Sequence, residues 1–447
     1  MRTLLERAKG SALDIIIGCE GSTDIITPLS SRAQQIRSLN FMYNYWKDIQ
    51  IFSDAVSGSL PLLRTLEINI VQKFWTPDLF YPSSPLFSNA VNLKQFTLRS
   101  RRLPFLGDFV FPNLTTFELS IVPLSDEFQA SELFKFLEAS PMLQTVHMKI
   151  IGNMWLEGVA QRGVVVPSNV QTFSLVMDDG GPTYELAAQI SCPSASQTSL
   201  ICQKDVENIT ANQDIQNLFP IAASWNTIVR QYTRSPVEAI SLEIKTRQGS
   251  IISCTLTFRS SDATVIRLGL EVTGDINDED EFEMDLEDMF LGVFSQASRT
   301  IRGHPLLHDA KHLHILHRIS LSDYDKVIDM ATQVGKLFES IGPLEELILC
   351  GCKLHSYLTP FLDLPELEDT EQMITFPHIK ELTISHPSLM DDVDECIAAI
   401  VKLAKSQHAL GVPFERVTVR MEKLPAGIAE MLELWVSVVD CCEERDT

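Results

Sequence analysis

Along most of this chain, apolar residues recur in one frame: apolar, two positions of any kind, apolar, one position, apolar. The segment 344–354, LEELILCGCKL, carries it as Leu344, Leu347 and Leu349. The same frame holds Ile36, Leu39 and Phe41; Leu63, Leu66 and Ile68; Leu93, Phe96 and Leu98; Leu114, Phe117 and Leu119; and Leu143, Val146 and Met148. It continues as Val170, Phe173 and Leu175; Val237, Ile240 and Leu242; Ile379, Leu382 and Ile384; and Phe414, Val417 and Val419. The last two apolar positions lie two residues apart, so in a strand both point to one side while their neighbours point to the other. Each frame therefore predicts a short strand with one buried face.

Proline marks the approach to these strands. Pro61, Pro112, Pro141, Pro167, Pro236, Pro343, Pro377 and Pro413 each stand one to three residues before the first apolar position. Proline cannot continue a helix and biases its predecessor toward extended geometry, so it suits the end of one element and the start of a strand. Between frames the apolar period changes to that of a helix. Residues 322–343 place Val327, Met330, Val334, Leu337, Phe338 and Ile341 on one helical face and stop at Gly342-Pro343. Residues 125–141 repeat the plan with Phe128, Leu133, Phe136 and Leu137, and residues 391–413 with Val393, Ile397, Ile400 and Ala404, closing at Gly411. Residues 426–442 read as a terminal helix.

Successive core positions from Leu39 to Phe173 step by about 20 to 30 residues, and Leu347, Leu382 and Val417 by about 35. Segment 344–354 in full spells Leu-x-x-Leu-x-Leu-x-x-Cys-x-Leu, the pattern of a leucine-rich repeat. One such unit cannot bury its apolar face alone, whereas stacked units can. The expected fold is α/β: an irregular leucine-rich-repeat solenoid, with parallel strands on the concave face and helices on the convex face. Three regions follow: 1–199 as an N-terminal repeat half, 200–300 as irregular middle repeats, and 301–447 as a C-terminal repeat half with the terminal helix. In the middle region, 250–272 reads as an antiparallel hairpin and 275–288 as an acidic loop. Most units lack the asparagine usual in such repeats, since Val71, Arg101 and Val122 occupy its place, so their turns must satisfy backbone groups otherwise.

Composition narrows the partners. The 447 residues carry a formal net charge of −23, a field that repels phosphate backbones and anionic lipid. Nucleic acid and membrane are therefore not expected partners. The longest apolar runs fall short of a transmembrane helix, and the N-terminal stretch around 13–17 is too short for a signal peptide. Nine cysteines are too sparse and irregular for a disulfide framework. An intracellular protein, cytoplasmic or nuclear, is the expectation.

Chemistry is harder to find. Cys350 and Cys352 are too close for a zinc knuckle and have no second pair at the right spacing; packing within the repeat explains them. His304, His308, His312, His314 and His317 cluster, and imidazole is the commonest metal ligand. Yet 311–317, KHLHILH, reads as a strand with Leu313 and Ile315 inward and His312 and His314 outward. A metal-dependent enzyme using this cluster is the alternative reading. In 275–288, Asp280 and Leu286 stand where a calcium loop needs glycine and glutamate, which leaves a solvated acidic loop. ATQVGK at 331–336 lacks the glycine and hydroxyl of a phosphate loop. No cofactor is expected, and no enzyme motif appears.

The frames LRTLEINI, FPNLTTFELS and FPHIKELTIS with helical stretches between them, together with LLERAKGSALDIII and AQQIRSLNF, resemble the leucine-rich-repeat-like region of fungal F-box proteins. The resemblance implies a non-enzymatic, substrate-selecting scaffold. In that family an F-box docks on a Skp-type adaptor of a cullin ubiquitin ligase. An F-box is not evident here, because the repeats begin almost at once. The chain is a fragment, a truncated product or a repeat-only relative, and the F-box is missing, degenerate or upstream. The expected partner is a protein, met by the outward strand positions: Thr65, Glu67, Asn69, Gln95, Thr97 and Arg99, then Thr116, Glu118, Ser120, Thr145, His147 and Lys149. Their mixture of charge and hydroxyl suits a protein surface better than a small-molecule pocket.

Overall fold

The computed structural model describes residues 10–18, 26–43, 46–56, 60–70, 86–100, 106–122, 130–151, 167–178, 180–205, 228, 231–232, 235–247, 251–273, 310–318, 344–351, 358, 379–386, 393–421 and 427–443. The chain divides into two compact units, Met1–Ile201 and Cys202–Thr447. The helical pattern of 322–343, the acidic run 275–288, the ATQVGK motif, His304, His308 and Cys352 lie outside the described residues.

The first unit is a ladder of strands in chain order: β1 (Leu13–Ile17), β2 (Ile36–Tyr43), β3 (Thr65–Ile70), β4 (Gln95–Ser100), β5 (Thr116–Ile121), β6 (Thr145–Ile150) and β7 (Thr172–Met177), followed by β8 (Gln197–Asp205), which begins in this unit and ends in the second. Neighbours from β1 to β7 pair in parallel. The register is in step, with Leu39, Leu66, Phe96, Phe117, Val146 and Phe173 on successive strands at one level. The core positions taken from the frame thus form one row. Strands β3, β5 and β7 alternate strictly between buried and half-buried residues. Parallel sheets covered on both faces read as continuous apolar runs; strict alternation means that one face is packed and the other polar.

Parallel neighbours cannot be joined by a tight turn, and the longer described helices lie in three of the connections. These are Trp46–Ala55 between β2 and β3, Ala130–Glu138 between β5 and β6, and Gly180–Gln189 between β7 and β8. The first two bring Phe52 against Phe41, with centroids 4.9 Å apart, and Phe136 against Phe117 at 4.4 Å. Phe96 also meets Phe109, Phe111 and Phe117. Such edge and tilted pairs add about 0.5–1.5 kcal/mol each to their area burial. Close packing at the helix is visible at Gly107, where an added Cβ would lie 2.6 Å from Glu132 Oε2; the Gly107 N–H donates to that oxygen at 3.2 Å.

The proline signal has a local cause. Strands β3 to β7 are each led in by a turn whose fourth N–H returns to the first carbonyl: Leu63 to Leu60, Leu93 to Ala90, Leu114 to Phe111, Leu143 to Ser140 and Val170 to Pro167. Pro61, Pro112 and Pro141 occupy the second turn position, where their fixed φ is already correct. Asparagine then ties rung to rung. The side-chain amides of Asn92, Asn113 and Asn169 donate to the carbonyls of Pro61, Val91 and Pro141 on the preceding rung, each at 2.8 Å.

In the second unit the strand order is β11-β10-β9-β12-β13-β14-β15-β16. The ranges are β9 (Val237–Arg247), β10 (Ile251–Ser260), β11 (Val265–Thr273), β12 (His312–Arg318), β13 (Glu346–Gly351), β14 (Glu381–His386), β15 (Arg416–Met421) and β16 (Val438–Glu443). The hairpin stretch is β10 and β11, and β9 adds a third antiparallel strand. From β9 through β12 to β16 all pairs are parallel. Leu313, Leu347, Leu382, Val417 and Val439 share one level, and Ile315, Leu349, Ile384, Val419 and Cys441 the next inward one. Helix Val393–Ala409 buries Ile397, Ile400, Leu403 and Ala404. It ends where Gly411, at φ 76°, lets Val412 N–H reach Gln407 O and Gly411 N–H reach His408 O, the double bond of a left-handed glycine cap.

The terminal helix needs correction. Only Ile428–Glu433 is helical, and Val438–Glu443 is strand β16 on β15. Val436, Val439 and Cys441 repeat the apolar frame, and β-branched side chains favour a pleated surface.

Candidate protein-binding face

All twelve outward positions fall on the polar side of β3 to β6, in three rows set by the register. The first row is Thr65, Gln95, Thr116 and Thr145, flanked by Ser38 on β2 and Thr172 on β7. The second is Glu67, Thr97, Glu118 and His147, flanked by Asn40 and Ser174. The third is Asn69, Arg99, Ser120 and Lys149, flanked by Met42 and Val176. The flanking residues of β2 and β7 belong to the same face. Their frames, at 36–41 and 170–175, already mark them.

The rows differ chemically from one end to the other. At the β2–β4 end, Glu67 is held by Asn40 Nδ2 at 2.6 Å, Asn69 Nδ2 at 3.0 Å and Arg99 Nη1 at 3.2 Å. Asn69 Nδ2 also reaches Asn40 Oδ1 at 3.4 Å. Thr97 Oγ1 donates to Glu118 Oε2 at 3.4 Å, and Thr97 is 6% exposed, so this member of the row is a support and not a surface. At the β5–β7 end, His147 is exposed and Lys149 half-buried, and neither forms an ion pair among the described residues. A carboxylate network fixes one end; the other keeps its donors free for something else.

The second unit continues the theme with different residues. On β12, Leu313 and Ile315 are buried and His312 and His314 stand on the polar side. His312 Nδ1 lies 3.0 Å from Glu346 Oε2 on β13, and His314 Nε2 lies 3.7 Å from the same oxygen. Burial outweighs the attraction of Glu346 and holds His314 below the usual imidazole range, so the neutral form prevails near neutrality. Among the described residues no group of three or more His, Cys, Asp or Glu is placed to hold a metal ion. Cys350 is half-buried on the polar side of β13. Cys192 and Cys254 are buried, and burial pushes both thiols up to about 12. No helix among the described residues is long and apolar enough to cross a membrane.

No protein-family model matches the chain, and no curated protein matches it.

Proposed function

We propose that this chain is a non-enzymatic protein-recognition scaffold of the leucine-rich-repeat type, and that its partner docks on the polar strand face of the first unit. The observation that carries this is the in-step register. It presents one side chain per rung in rows, with donors unengaged at the β5–β7 end beside a rigid network at the β2–β4 end. Rows of hydroxyl, amide and charge spread over several strands suit a protein surface. Thr116, Ser120, Thr145, His147 and Lys149 form the principal contact, and Glu67, Asn69, Thr97, Arg99 and Glu118 hold it in shape, with Thr65 and Gln95 at the rim. The resemblance to the repeat region of fungal F-box proteins supports a narrower form of the proposal, substrate selection for a cullin-type ubiquitin ligase.

The test is capture of partners from cell extract on immobilised chain, with quantitative mass spectrometry. His147→Glu combined with Lys149→Glu should lower recovery of the specific partners about tenfold, with an unchanged circular dichroism spectrum. Glu185→Lys, on the exposed side of helix Gly180–Gln189, should leave recovery as it was. Undiminished recovery with the double variant defeats the proposal. Co-purification of a Skp-type adaptor distinguishes the narrower form from a general scaffold.

A further inference from the structure

In the second unit the register sets small residues on one strand between longer side chains on its two neighbours, a shallow trough on the polar face. Its floor is β9, where the polar side presents the small residues Ala239 and Ser241. One wall is β10 and β11. Arg259 and Thr257 stand beside Ala239 and Ser241, and Arg267 lies beyond Thr257. The other wall is β12, with His312 beside Ala239 and His314 beside Ser241. At ordinary strand spacing the walls at β10 and β12 are about 10 Å apart, within reach of long side chains from both sides.

One feature makes the trough attractive to negative charge. Arg37, Arg99, Lys245, Lys311, Lys380 and Arg416 each meet a carboxylate. Arg259 and Arg267 are exposed and form no ion pair among the described residues, in a chain with 59 acidic and 36 basic residues. Hydroxyls of Ser241 and Thr257 lie between Arg267 and His314.

We infer that this trough binds an extended acidic segment of a protein partner, with carboxylates on Arg259 and Arg267. The inference rests on the scaffold reading and adds the partner's chemistry at a second face. The two arginines are diagonal neighbours across β10 and β11, about 7 Å apart. That matches the spacing of alternate side chains in an extended peptide. A carboxylate meets the guanidinium fork in two parallel bonds. Glu346 and Glu243 flank the trough, which disfavours a doubly charged phosphate relative to single carboxylates.

The experiment is fluorescence anisotropy on the full chain with three labelled synthetic octapeptides: alternating Glu-Thr, alternating Lys-Thr, and alternating phosphoserine-Thr. The Glu-Thr peptide should bind and the Lys-Thr peptide should not. Binding should weaken as salt rises from about 0.05 to about 0.5 M. Arg259→Glu and Arg267→Glu should each weaken it about tenfold or more, and Arg259→Lys less. Substitution of His147 and Lys149 on the first unit should leave it unchanged, which separates failure here from failure of the scaffold proposal. Tighter binding of the phosphoserine peptide, no binding of the Glu-Thr peptide, or indifference to Arg259→Glu would each overturn the inference.

Discussion

The two units are built on one frame and stabilised by different means. The first packs aromatic rings. Phe96 lies against four others, Phe109, Phe111, Phe117 and Phe136, and Phe41 meets Phe52 and Phe87. The second fills its rows mainly with Leu, Ile and Val. The strand lead-ins differ as well. In the first unit hydrogen-bonded turns and asparagine amides link the rungs. In the second the lead-in residues alternate in charge, Glu238, Lys311, Glu345, Lys380 and Glu415, with their backbones bonded in series. Lys311 Nζ lies 3.4 Å from Glu345, and Lys380 Nζ 3.9 Å. A shared register can thus be held by directional amide bonds or by charge, and the two respond differently to salt and to truncation.

The largest expected effect breaks the aromatic row. Phe117→Ala should cost about 3–5 kcal/mol and Leu347→Ala about 2–4, read as shifts in urea midpoint. Equal costs would erase the distinction between the cores. Next, Asn113→Ala should cost about 1 kcal/mol, because the Val91 carbonyl loses a donor, at low and high salt alike. Its counterpart Lys380→Ala should cost a few tenths of a kcal/mol at low salt and nothing measurable in about 1 M salt. Thermal melts at both ionic strengths compare the two.

A smaller effect sits at the hairpin turn of the second unit. Asp262 Oδ1 accepts from Ser260 Oγ at 2.6 Å and from Thr264 N–H at 3.1 Å. The Ser260 bond in particular holds its carboxyl at about 2, below the ordinary 3.8. A lowered folded-state value stabilises above the unfolded value, and that contribution is lost as pH falls through about 2. Asp262→Asn should therefore reduce stability by less than about 1 kcal/mol near neutrality, given the exposure of the turn. The difference from wild type should vanish near pH 2. Denaturant titrations across that range measure it. Last, a maleimide should label exposed Cys442 in the native protein, while buried Cys192 and Cys254 should react only on unfolding. Peptide mapping reads this without any stability change.

Much of the fold was legible because two-residue alternation and the frame are local. Leu66, Phe117, Leu347 and Leu382 were identified as core from spacing alone, and the twelve polar positions followed by alternation. What escaped depended on long-range choices. The stretch 426–442 carries helical spacing at MLELW, but the strand partner that claims 438–443 lies on β15. Alternation puts Thr97 on the outward face, yet it is buried there, bonded to Glu118 on the next rung. The Asn92, Asn113 and Asn169 ladder was present in the text of the frames, yet its purpose needs the preceding rung's carbonyl in place.

By itself, then, the order of residues determined which side chains share a strand face and where strands begin, since a period of two and turn-forming proline act over a few residues. Only the tertiary structure decided that β12 pairs with β9 and not with β11, and that Arg259, Arg267 and His314 therefore border one floor. Such adjacency joins residues dozens of positions apart, and no local preference records which distant strand offers the better match.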